Sequence, residues 1–533
     1  MKRSQLNLRA YIILLGIALM AAIYYYTVHM NFLPDPEYSL MILSRYYNEK
    51  WGQTLHGWGI LTEVCASIVY QLLGKSIVAV RVTAATIYFL AIFLSLILSV
   101  YSKHKKVIWY IVPAFFFLGI LVNPGNSYFC GSHTEWYHVY PYDMHMEPIM
   151  VALFEIVLVQ YLIDTTILIK YRVMLGIICT TIAVLFLKVY SDVVFVVAFL
   201  GPLIITLIIW LFRNKRKQFY WLLLCGVGGV VLLRGISLVY APLKSLFAKQ
   251  SVSGYGNWTE SGFYGATNFI GLEGIWENIS ITITELLALY NVELTNQSLV
   301  SFYTLSCIIR IFCVISMLIA AVITIKNSLI REHKAQDIIT QMLSWGFLLN
   351  IILVMCTSYG QEYSCSRYMG IAFFFGTIIL CRSISEYLEE KGDSKQEKKA
   401  ICVFFILCIL IGIRPVWRLN DQQTQYAEEL YQLADIIDAN DLGNGVGGHW
   451  FANTLALMVN ENHVVADGQI TQEGGLWLWQ DRLLIPINFF IDGQGWYDQI
   501  DENKMKEMYG EPDQIYTTEI FTLYYYVNGI KYY

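Results

Sequence analysis

The stretch that decides the fold is residues 78–100, VAVRVTAATIYFLAIFLSLILSV, in which Arg81 is the only charged residue. A basic cluster, KHKK at residues 103–106, follows it almost at once. A bilayer core about 30 Å thick needs about 20 apolar residues in helical form, because unpaired backbone amides are costly in lipid. Since short cytoplasmic loops are enriched in Lys and Arg, residues 78–100 predict a membrane-spanning helix that ends on the cytoplasmic side.

Similar apolar stretches recur along the chain. Of its 533 residues, 56% are hydrophobic and only 14% are charged, whereas an average soluble domain has about 25% charged residues. The stretches long enough to span a bilayer are 8–28, 78–100, 107–123, 148–168, 173–188, 193–212, 219–240, 302–325, 338–357, 367–382 and 400–415. The composition therefore predicts a polytopic α-helical membrane protein with about 11 transmembrane helices. A further apolar segment, residues 59–73, contains Glu63 and Gln71 and predicts an interfacial or re-entrant helix.

Basic clusters predict the topology of these spans. They lie at Lys2–Arg3, Lys103–Lys106, Lys170–Arg172, Arg213–Lys217, Lys326–Lys334 and Lys391–Lys399, and two spans separate each from the next. This alternation predicts a multi-pass protein of the plasma membrane, with a cytoplasmic N-terminus and a non-cytoplasmic C-terminus. Three long outer loops follow from it, at residues 31–77, 124–147 and 241–301.

The chain divides by composition near residue 415. Residues 1–415 carry the apolar spans, whereas residues 416–533 have ordinary polar composition, a helical pattern at 424–437 and strand-like runs at 483–491 and 522–527. A soluble, non-cytoplasmic C-terminal α/β domain is therefore predicted. Its glycine run, residues 443–448, lacks the Gly-Lys-Ser/Thr ending of a phosphate loop and predicts a flexible turn. The net charge of −5 gives no reason to expect a nucleic acid partner.

The first outer loop has two carboxylates, Asp35 and Glu37, directly after the first span. Carboxylates at the surface of so apolar a protein are costly unless they are solvated, paired or used. A solvated turn is the alternative, because Asp and Pro both favour turns. Farther along the chain come His56 and then Arg81, which opens the next span.

In this order of residues the chain resembles the GT-C superfamily of membrane glycosyltransferases, which includes protein O-mannosyltransferases and lipid A aminoarabinose transferases. The resemblance covers roughly the first hundred residues and rests on Asp35, His56, Leu73-Gly74 and Arg81. Two departures are that Pro36 separates the two acidic residues and that Gly57-Trp58 replaces the prolines after the histidine. The resemblance implies a GT-C-like catalytic domain in which Asp35 and Glu37 are catalytic and His56 and Arg81 bind substrate.

A second similarity lies at Arg367-Tyr368, where a short outer loop enters the tenth predicted span. GT-C enzymes often have Arg-Tyr at this place, and an Arg fork matches phosphate geometry. Arg367 is thus a candidate ligand for a lipid phosphate, with Tyr368 beside it, and interfacial anchoring is the alternative. Lys188 and Asp192, which are counted among the substrate-binding candidates, flank a minimal outer turn, where they either form an ion pair that orients the site or cap a helix end.

The second outer loop holds the densest group of titratable residues: His133, Glu135, His138, Asp143, His145 and Glu147. Imidazole and carboxylate together suit a divalent metal such as Mg²⁺ or Mn²⁺. His145-x-Glu147 resembles the second acidic motif of the oligosaccharyltransferase catalytic subunit, which implies a metal ligand pair. Hydrogen bonding of substrate by Trp136, Tyr137, His138 and Tyr140 is the alternative, and Glu135 is counted with His138 among the substrate-binding candidates. The sequence has no Cys-x-x-Cys or His-Glu-x-x-His zinc signature, so it does not establish a cofactor.

If the resemblance holds, the enzyme moves a sugar from a polyprenyl-phosphate donor to an envelope glycan, lipid or protein acceptor, with inversion. A lipid-linked saccharide transporter or flippase, or a polysaccharide polymerase or ligase, remains an alternative. A transporter predicts polar residues along the span interiors, where the sequence shows mainly Glu155 and Asp164. Asn257-Trp258-Thr259 and Asn278-Ile279-Ser280 match the glycosylation sequon by pattern alone.

Overall fold

The computed structural model describes residues 8–28, 36–47, 60–100, 108–120, 146–163, 176, 195–214, 269–290, 292, 298, 300–330, 337–361, 368–390, 395–470, 476–478, 486–493 and 502–530. Five helices in this part of the chain are long and apolar enough to cross a membrane: Leu8–Thr27, Ile77–Ser99, Phe302–Ile330, Ile338–Cys356 and Gly370–Tyr387. The protein is therefore polytopic. The predicted number of about 11 spans is not confirmed, because stretches 173–188 and 219–240 fall almost wholly outside the described residues.

The helices are α1 (Leu8–Val28), α2 (Pro36–Tyr46), α3 (Ile60–Leu73), α4 (Ile77–Ser99), α5 (Ile108–Phe115), α6 (Met146–Ile163), α7 (Gly201–Asn214), α8 (Leu272–Leu289), α9 (Phe302–Ile330), α10 (Asp337–Cys356), α11 (Gly370–Glu390), α12 (Lys395–Ala439), α13 (His449–Met458) and α14 (Glu502–Tyr509). π-helical turns at Phe116–Ile120 and Val196–Leu200 adjoin α5 and α7. The strands are β1 (Gly445–Gly447), β2 (Val465–Ile470), β3 (Leu476–Leu478), β4 (Ile487–Gly493), β5 (Gln514–Thr517) and β6 (Phe521–Ile530).

The helix bundle packs through small and aromatic side chains. Ala18 and Ala21 of α1 and Ala84 of α4 are buried, and small residues let apolar helices approach closely. The Tyr25 and Tyr88 rings of the same two helices stack with their centroids 4.5 Å apart. Adjacent to them, α2 and α3 pack on α4, so the predicted interfacial segment 59–73 is a helix seated on the bundle.

One end of the bundle is held by a buried arginine. Arg382, near the end of α11, donates from Nη1 to the Leu98 carbonyl of α4 at 2.8 Å and from Nε to Thr340 Oγ1 of α10 at 2.9 Å. The helix ends that flank three predicted cytoplasmic clusters, 103–106, 326–334 and 391–399, therefore meet at one end of the bundle. Their meeting agrees with the alternation on which the topology prediction depends. The side of the membrane that this end faces stays a prediction.

A single helix, α12, joins the bundle to the C-terminal domain. It has 45 residues and runs without a break through residues 415 and 416, where the sequence composition changes. The predicted span 400–415 and the predicted helix 424–437 are thus parts of the same helix. At a rise of about 1.5 Å per residue, such a helix is about 68 Å long.

The C-terminal domain is a mixed sheet with strand order β3-β2-β1-β4-β6-β5. Strand β1 pairs in parallel with β2 and β4, while β3, β6 and β5 extend the sheet through antiparallel pairs. Helix α13 connects β1 to β2. The buried apolar residues of β1, β2 and β4 form the centre of the sheet, which agrees with the predicted α/β composition.

The prediction of a flexible turn at residues 443–448 is wrong for most of that run. The turn lies at residues 441–444, where Asp441 has φ 48° and Gly443 has φ 78°. Residues 445–447 form β1 in the middle of the sheet. Glycine is needed there because a Cβ on Gly445 would collide with the ring of Phe489 on β4. A run of glycines thus marks close packing as well as chain reversal.

Candidate functional site

Most predicted site residues lie outside the described residues. They are Asp35, His56, Glu135, His138, His145, Lys188, Asp192 and Arg367. Glu37 lies in the first turn of α2, where the structure describes the backbone but not this side chain. Arg81, Glu147 and Tyr368 are described with their side chains. The described part of the candidate site therefore consists of these three residues and of the helices next to the remaining site residues.

Helix α2 begins at Pro36, directly after Asp35. Proline suits the first position of a helix, because its fixed φ is already helical and its missing N–H would be unpaired there anyway. Arg45, in the last turn of α2, forms an ion pair with Glu63 in the first turn of α3. Glu63 is fully buried, and losing one partner of a buried pair typically costs about 3–5 kcal/mol. The pair fixes the two helices that follow Asp35 and His56.

Glu147 of α6 anchors the start of α3. Its Oε1 accepts from the Leu61 backbone N–H at 2.8 Å, and its Oε2 accepts from the Thr62 backbone N–H at 2.9 Å and from Thr62 Oγ1 at 2.7 Å. The two backbone donors are amides of the first turn of α3, which have no partner within the helix. The negative charge of Glu147 also lies near the positive end of the helix dipole, which is favourable. Glu147 is therefore a side-chain cap for α3, supplied by α6.

This contact limits what Glu147 can offer a metal ion. A carboxylate has about four lone-pair positions, and three donors occupy positions on Glu147. Among the described residues no group of three or more His, Cys, Asp or Glu side chains could hold a metal. The described residues therefore do not form a metal site by themselves. The proposed ligand pair of His145 and Glu147 stays a prediction, since His145 lies outside them.

Arg81 lies in the second turn of α4, the helix capped by Ser76, whose Oγ accepts from the Ala79 N–H at 3.2 Å. The Arg81 side chain is half-buried, and its Nε is shielded from solvent without a hydrogen-bond partner in the part of the chain that the structure describes. A buried guanidinium N–H without a partner is unfavourable. Arg81 thus keeps a donor that an anionic group can satisfy.

The turn before α4 faces the C-terminal domain. Lys75 Nζ lies 4.9 Å from the centroid of the Tyr46 ring at the end of α2. Burial lowers the pKa of Lys75, while the negative charges of Glu461 and Asp438 act in the opposite direction. Both acidic residues belong to the region around α12 and α13. The end of the first outer loop and the C-terminal domain are therefore neighbours.

Direct contacts join α2 to the C-terminal domain. Ser39 Oγ and Thr454 Oγ1 of α13 lie 3.0 Å apart, and both residues are buried. The neighbouring Asn453 donates from Nδ2 to Asp467 Oδ2 of β2 at 3.2 Å. A continuous path of packed residues thus runs from the helix after Asp35 into the sheet. Sequence reasoning missed this path, since Ser39 and Thr454 are 415 positions apart.

Tyr368 lies in a short turn just before α11. Its carbonyl accepts from Asn350 Nδ2 at 2.8 Å, and Asn350 Oδ1 accepts from the Ala372 N–H at 3.0 Å. Asn350 of α10 therefore holds the chain immediately after Arg367. A buried amide within an apolar span is expensive unless it is paired, so this asparagine carried a signal that the sequence interpretation left unused.

The span interiors contain more polar residues than the sequence interpretation counted. Arg310, Gln341, Asn350 and Arg382 are buried in addition to Glu155. Gln341 accepts from Trp210 Nε1 at 2.7 Å, and the guanidinium of Arg310 lies 5.0 Å from the centre of the Phe117 ring. Arg310, Gln341, Asn350 and Arg382 thus each contact a neighbouring helix or turn.

The sequon asparagine Asn278 is also a structural residue. It is fully buried, and its Nδ2 lies within 3.3 Å of the carbonyls of Val354 and Met355 and 3.0 Å from that of Thr357. The amide nitrogen that would carry a glycan therefore faces the end of α10. Asn257 lies outside the described residues.

No family model matches the chain, and no curated protein matches it. Among solved structures it is similar to the oligosaccharyltransferase of Archaeoglobus fulgidus, both in the apo form and tethered through a disulfide bond to an acceptor peptide containing the NVT sequon. Sequence identity is 10% in both comparisons, with TM-scores of 0.46 and 0.45. The matches cover 91% and 90% of this chain and 69% of the archaeal chain. At this level of likeness the activity has to be argued from the chain's own residues.

Proposed function

We propose that this protein is a membrane glycosyltransferase that transfers a sugar from a polyprenyl-phosphate donor to an acceptor at the non-cytoplasmic face. The acceptor is an envelope glycan, a lipid or a protein. The observation that best supports the proposal is the anchoring of α2. Its last turn is fixed by the Arg45–Glu63 pair and its buried face by Ser39 and Thr454, so the segment that carries Asp35 enters a rigid element. Catalysis needs reacting groups held in place by such supports.

In the proposed reaction Asp35 is the general base. The acceptor hydroxyl oxygen attacks the anomeric carbon, the bond from that carbon to the phosphate oxygen breaks, and the hydroxyl proton passes to Asp35. The configuration at the anomeric carbon is inverted. General base catalysis of this kind contributes roughly 10²–10⁴-fold in rate. Glu37 orients the acceptor, and His56, Glu135 and His138 contact the sugar.

Positive side chains stabilise the departing phosphate. Arg367, with Lys188, meets the charge that builds on the leaving oxygen, since preorganised cations act most strongly where charge develops. Arg81 adds a guanidinium whose Nε has no partner in the described residues. Asp192 orients Lys188, and Tyr368, whose carbonyl is held by Asn350, supports the neighbouring Arg367 in the sequence. No step of this mechanism passes through a metal ion.

The decisive experiment compares Asp35→Asn with wild type, purified in detergent and given a radiolabelled polyprenyl-phosphate sugar and envelope extract as acceptor. We expect release of polyprenyl phosphate to fall by roughly 10²–10⁴-fold. Glu502→Gln, on an exposed helix of the C-terminal domain, is the matched control and should leave turnover unchanged. Equal turnover by Asp35→Asn would remove Asp35 from the mechanism.

The transporter alternative is separated by a second readout in the same preparation. Reconstituted vesicles would show the labelled donor moving between leaflets without cleavage if the protein is a flippase. Accessibility labelling adds an independent test. The segments that carry Asp35 and Arg367 must react with a membrane-impermeant reagent from the same side, and labelling from opposite sides would end the proposal.

A further inference from the structure

Helix α8 lies in the predicted outer loop 241–301 and has an unusual position. It has 18 residues but is not among the candidate membrane spans, and it contains Glu273, Glu277 and Glu285. Three carboxylates would be costly inside a bilayer. A helix of this length and composition fits the surface of the membrane better than its interior.

One face of α8 is fixed to the end of α10. Asn278 contacts the last carbonyls of α10, as described above, and Thr282 and Leu286 continue the same buried face. The strand-like segment before α8 strengthens the attachment, because Phe269 forms a β-bridge with Thr357 and the Ile270 N–H donates to the Cys356 carbonyl at 3.1 Å. Since α10 is a membrane span, these contacts hold α8 at the level where the span ends.

A second face of α8 is apolar and exposed. Leu272, Trp276 and Ile283 have 84%, 78% and 54% of their surface exposed. They are four and seven residues apart, and at about 100° per residue they form one stripe along the helix. Phe269, just before the helix, is exposed as well. Apolar stripes of this kind, with an aromatic residue, are typical of helices at a membrane-water boundary.

The third face is polar. Glu273, Glu277, Ser280 and Thr284 are exposed and form a stripe about 100° farther round the helix than the apolar one. The helix therefore presents protein contacts, apolar side chains and polar side chains in sequence around its axis. The polar stripe lies roughly opposite the protein contacts and the apolar stripe lies between them, which fits a helix with protein on one face, lipid on the adjacent face and water opposite the protein.

We propose that α8 is an interfacial helix whose stripe of Leu272, Trp276 and Ile283 inserts into the outer boundary of the bilayer. The occupant of the stripe is lipid, at the depth where acyl chains meet headgroups. A protein partner fits less well, because a stable protein interface buries at least about 1,000 Å² and this stripe is a single row of side chains bordered by carboxylates. Ile352, one turn before the end of α10, is exposed as well, so the span also presents apolar surface near the end that α8 contacts.

The test uses the full-length protein in lipid nanodiscs with p-benzoylphenylalanine in place of Trp276. Irradiation should give a covalent lipid adduct on the peptide that contains position 276, detected by mass spectrometry. The matched control has the same residue in place of Glu277, which points into the polar stripe. We expect at least about tenfold less lipid adduct there, because hydrocarbon lies within reach of only one of the two stripes.

Other crosslinked products would overturn the proposal. A crosslink from position 276 to a peptide of residues 241–268 would mean that this segment covers the stripe, and a crosslinked dimer would mean that a second copy does. Equal lipid adducts at positions 276 and 277 would equally reject the assigned orientation. Leu272 provides a second position if the variant at 276 is not monodisperse. None of these outcomes depends on catalytic activity, so they leave the proposed function to its own test.

Discussion

The Glu147 carboxylate accepts three hydrogen bonds from the start of α3. We expect Glu147→Ala to lower the free energy of unfolding by about 2 kcal/mol or more, because buried donors would lose a charged acceptor. Thermal unfolding in detergent measures the change, with exposed Glu277→Gln as control. An unchanged midpoint would show that this cap does not hold α3.

The same residue separates two interpretations of the second outer loop. If Glu147 acts as a cap, Glu147→Gln should lower stability without changing how turnover depends on the concentration of Mg²⁺ or Mn²⁺. A metal ligand would instead shift that dependence to higher concentrations. The two readouts therefore assign the residue in either case.

At Tyr526 the structure predicts a pH effect. Burial raises the pKa of Tyr526 to about 12, and an unperturbed tyrosine has a pKa of about 10. The folded state thus holds the proton more tightly, so stability is full below pH of about 10 and declines as pH rises towards about 12.

The matched variant is Tyr526→Phe, which removes the hydrogen bond from the Tyr526 hydroxyl to the Gly510 carbonyl at 3.1 Å. We expect it to be less stable than wild type at pH 8 by about 1 kcal/mol. Because phenylalanine does not titrate, the difference should shrink above pH of about 10. Denaturant unfolding of both proteins at a series of pH values is the measurement, and a constant difference would contradict the assigned pKa.

Among the elements, β1 depends on glycine. We expect Gly445→Ala to destabilise the C-terminal sheet by about 1–3 kcal/mol or more, because the added methyl group meets the Phe489 ring of the neighbouring strand. Gly16→Ala in α1 is the control, since no heavy atom lies within 4 Å of its Cβ position. Calorimetry would measure the lost stability of the sheet, and limited proteolysis would detect faster cleavage in the segment that follows Met458. Equal stability of the two variants would mean that β1 can move away from β4.

Element by element, the sequence predicts what depends on local pattern. The predicted span 78–100 differs from α4 by one residue at each end, the strand-like run 522–527 lies within β6, and the described part of the run 483–491 overlaps β4. Local pattern does not reveal partners. The glycines of β1 resemble a turn until Phe489 packs against them, and the cap from Glu147 reaches α3 across 85 positions. The three-residue strand β1 also lacks the apolar run by which strands are recognised.

For the candidate site the division is similar. The order of Asp35, His56 and Arg81 suggested one face of the membrane, and the structure brings α2, which follows Asp35, and α4, which carries Arg81, into contact with α13 of the C-terminal domain. Residues that act as supports, such as Glu63 and Asn350, are ordinary polar residues in an apolar context. Their roles depend on partners from other helices, which the sequence alone does not identify.

The whole molecule is joined by α12, which passes from the bundle into the C-terminal domain without interruption. An alanine inserted after residue 420 would turn everything beyond it by about 100° and shift it by about 1.5 Å. The contact between Ser39 and Thr454 could not then form. We therefore expect a Ser39→Cys, Thr454→Cys double variant to form a disulfide in the normal chain, because the two oxygens lie 3.0 Å apart.

In the chain with the inserted alanine we expect this disulfide to be lost. Mass spectrometry of the crosslinked peptides measures its yield, and each single cysteine variant controls for the native cysteines. Asn420→Ala, which changes the residue but not the helical phase, should retain the disulfide. An insertion variant that crosslinks at the normal yield would show that the two parts dock independently of α12.

Asn278 has a consequence for the life history of the chain. Its side-chain amide nitrogen joins α8 to the end of α10 by hydrogen bonds, and the same nitrogen would receive the glycan of an Asn-x-Ser sequon. A sugar attached to it would permanently prevent the contact of Asn278 with the end of α10, so glycosylation and helix packing compete for one nitrogen. In a host that modifies such sequons, the fraction of chains glycosylated at Asn278 would report whether α8 packed against α10 before the modifying enzyme acted.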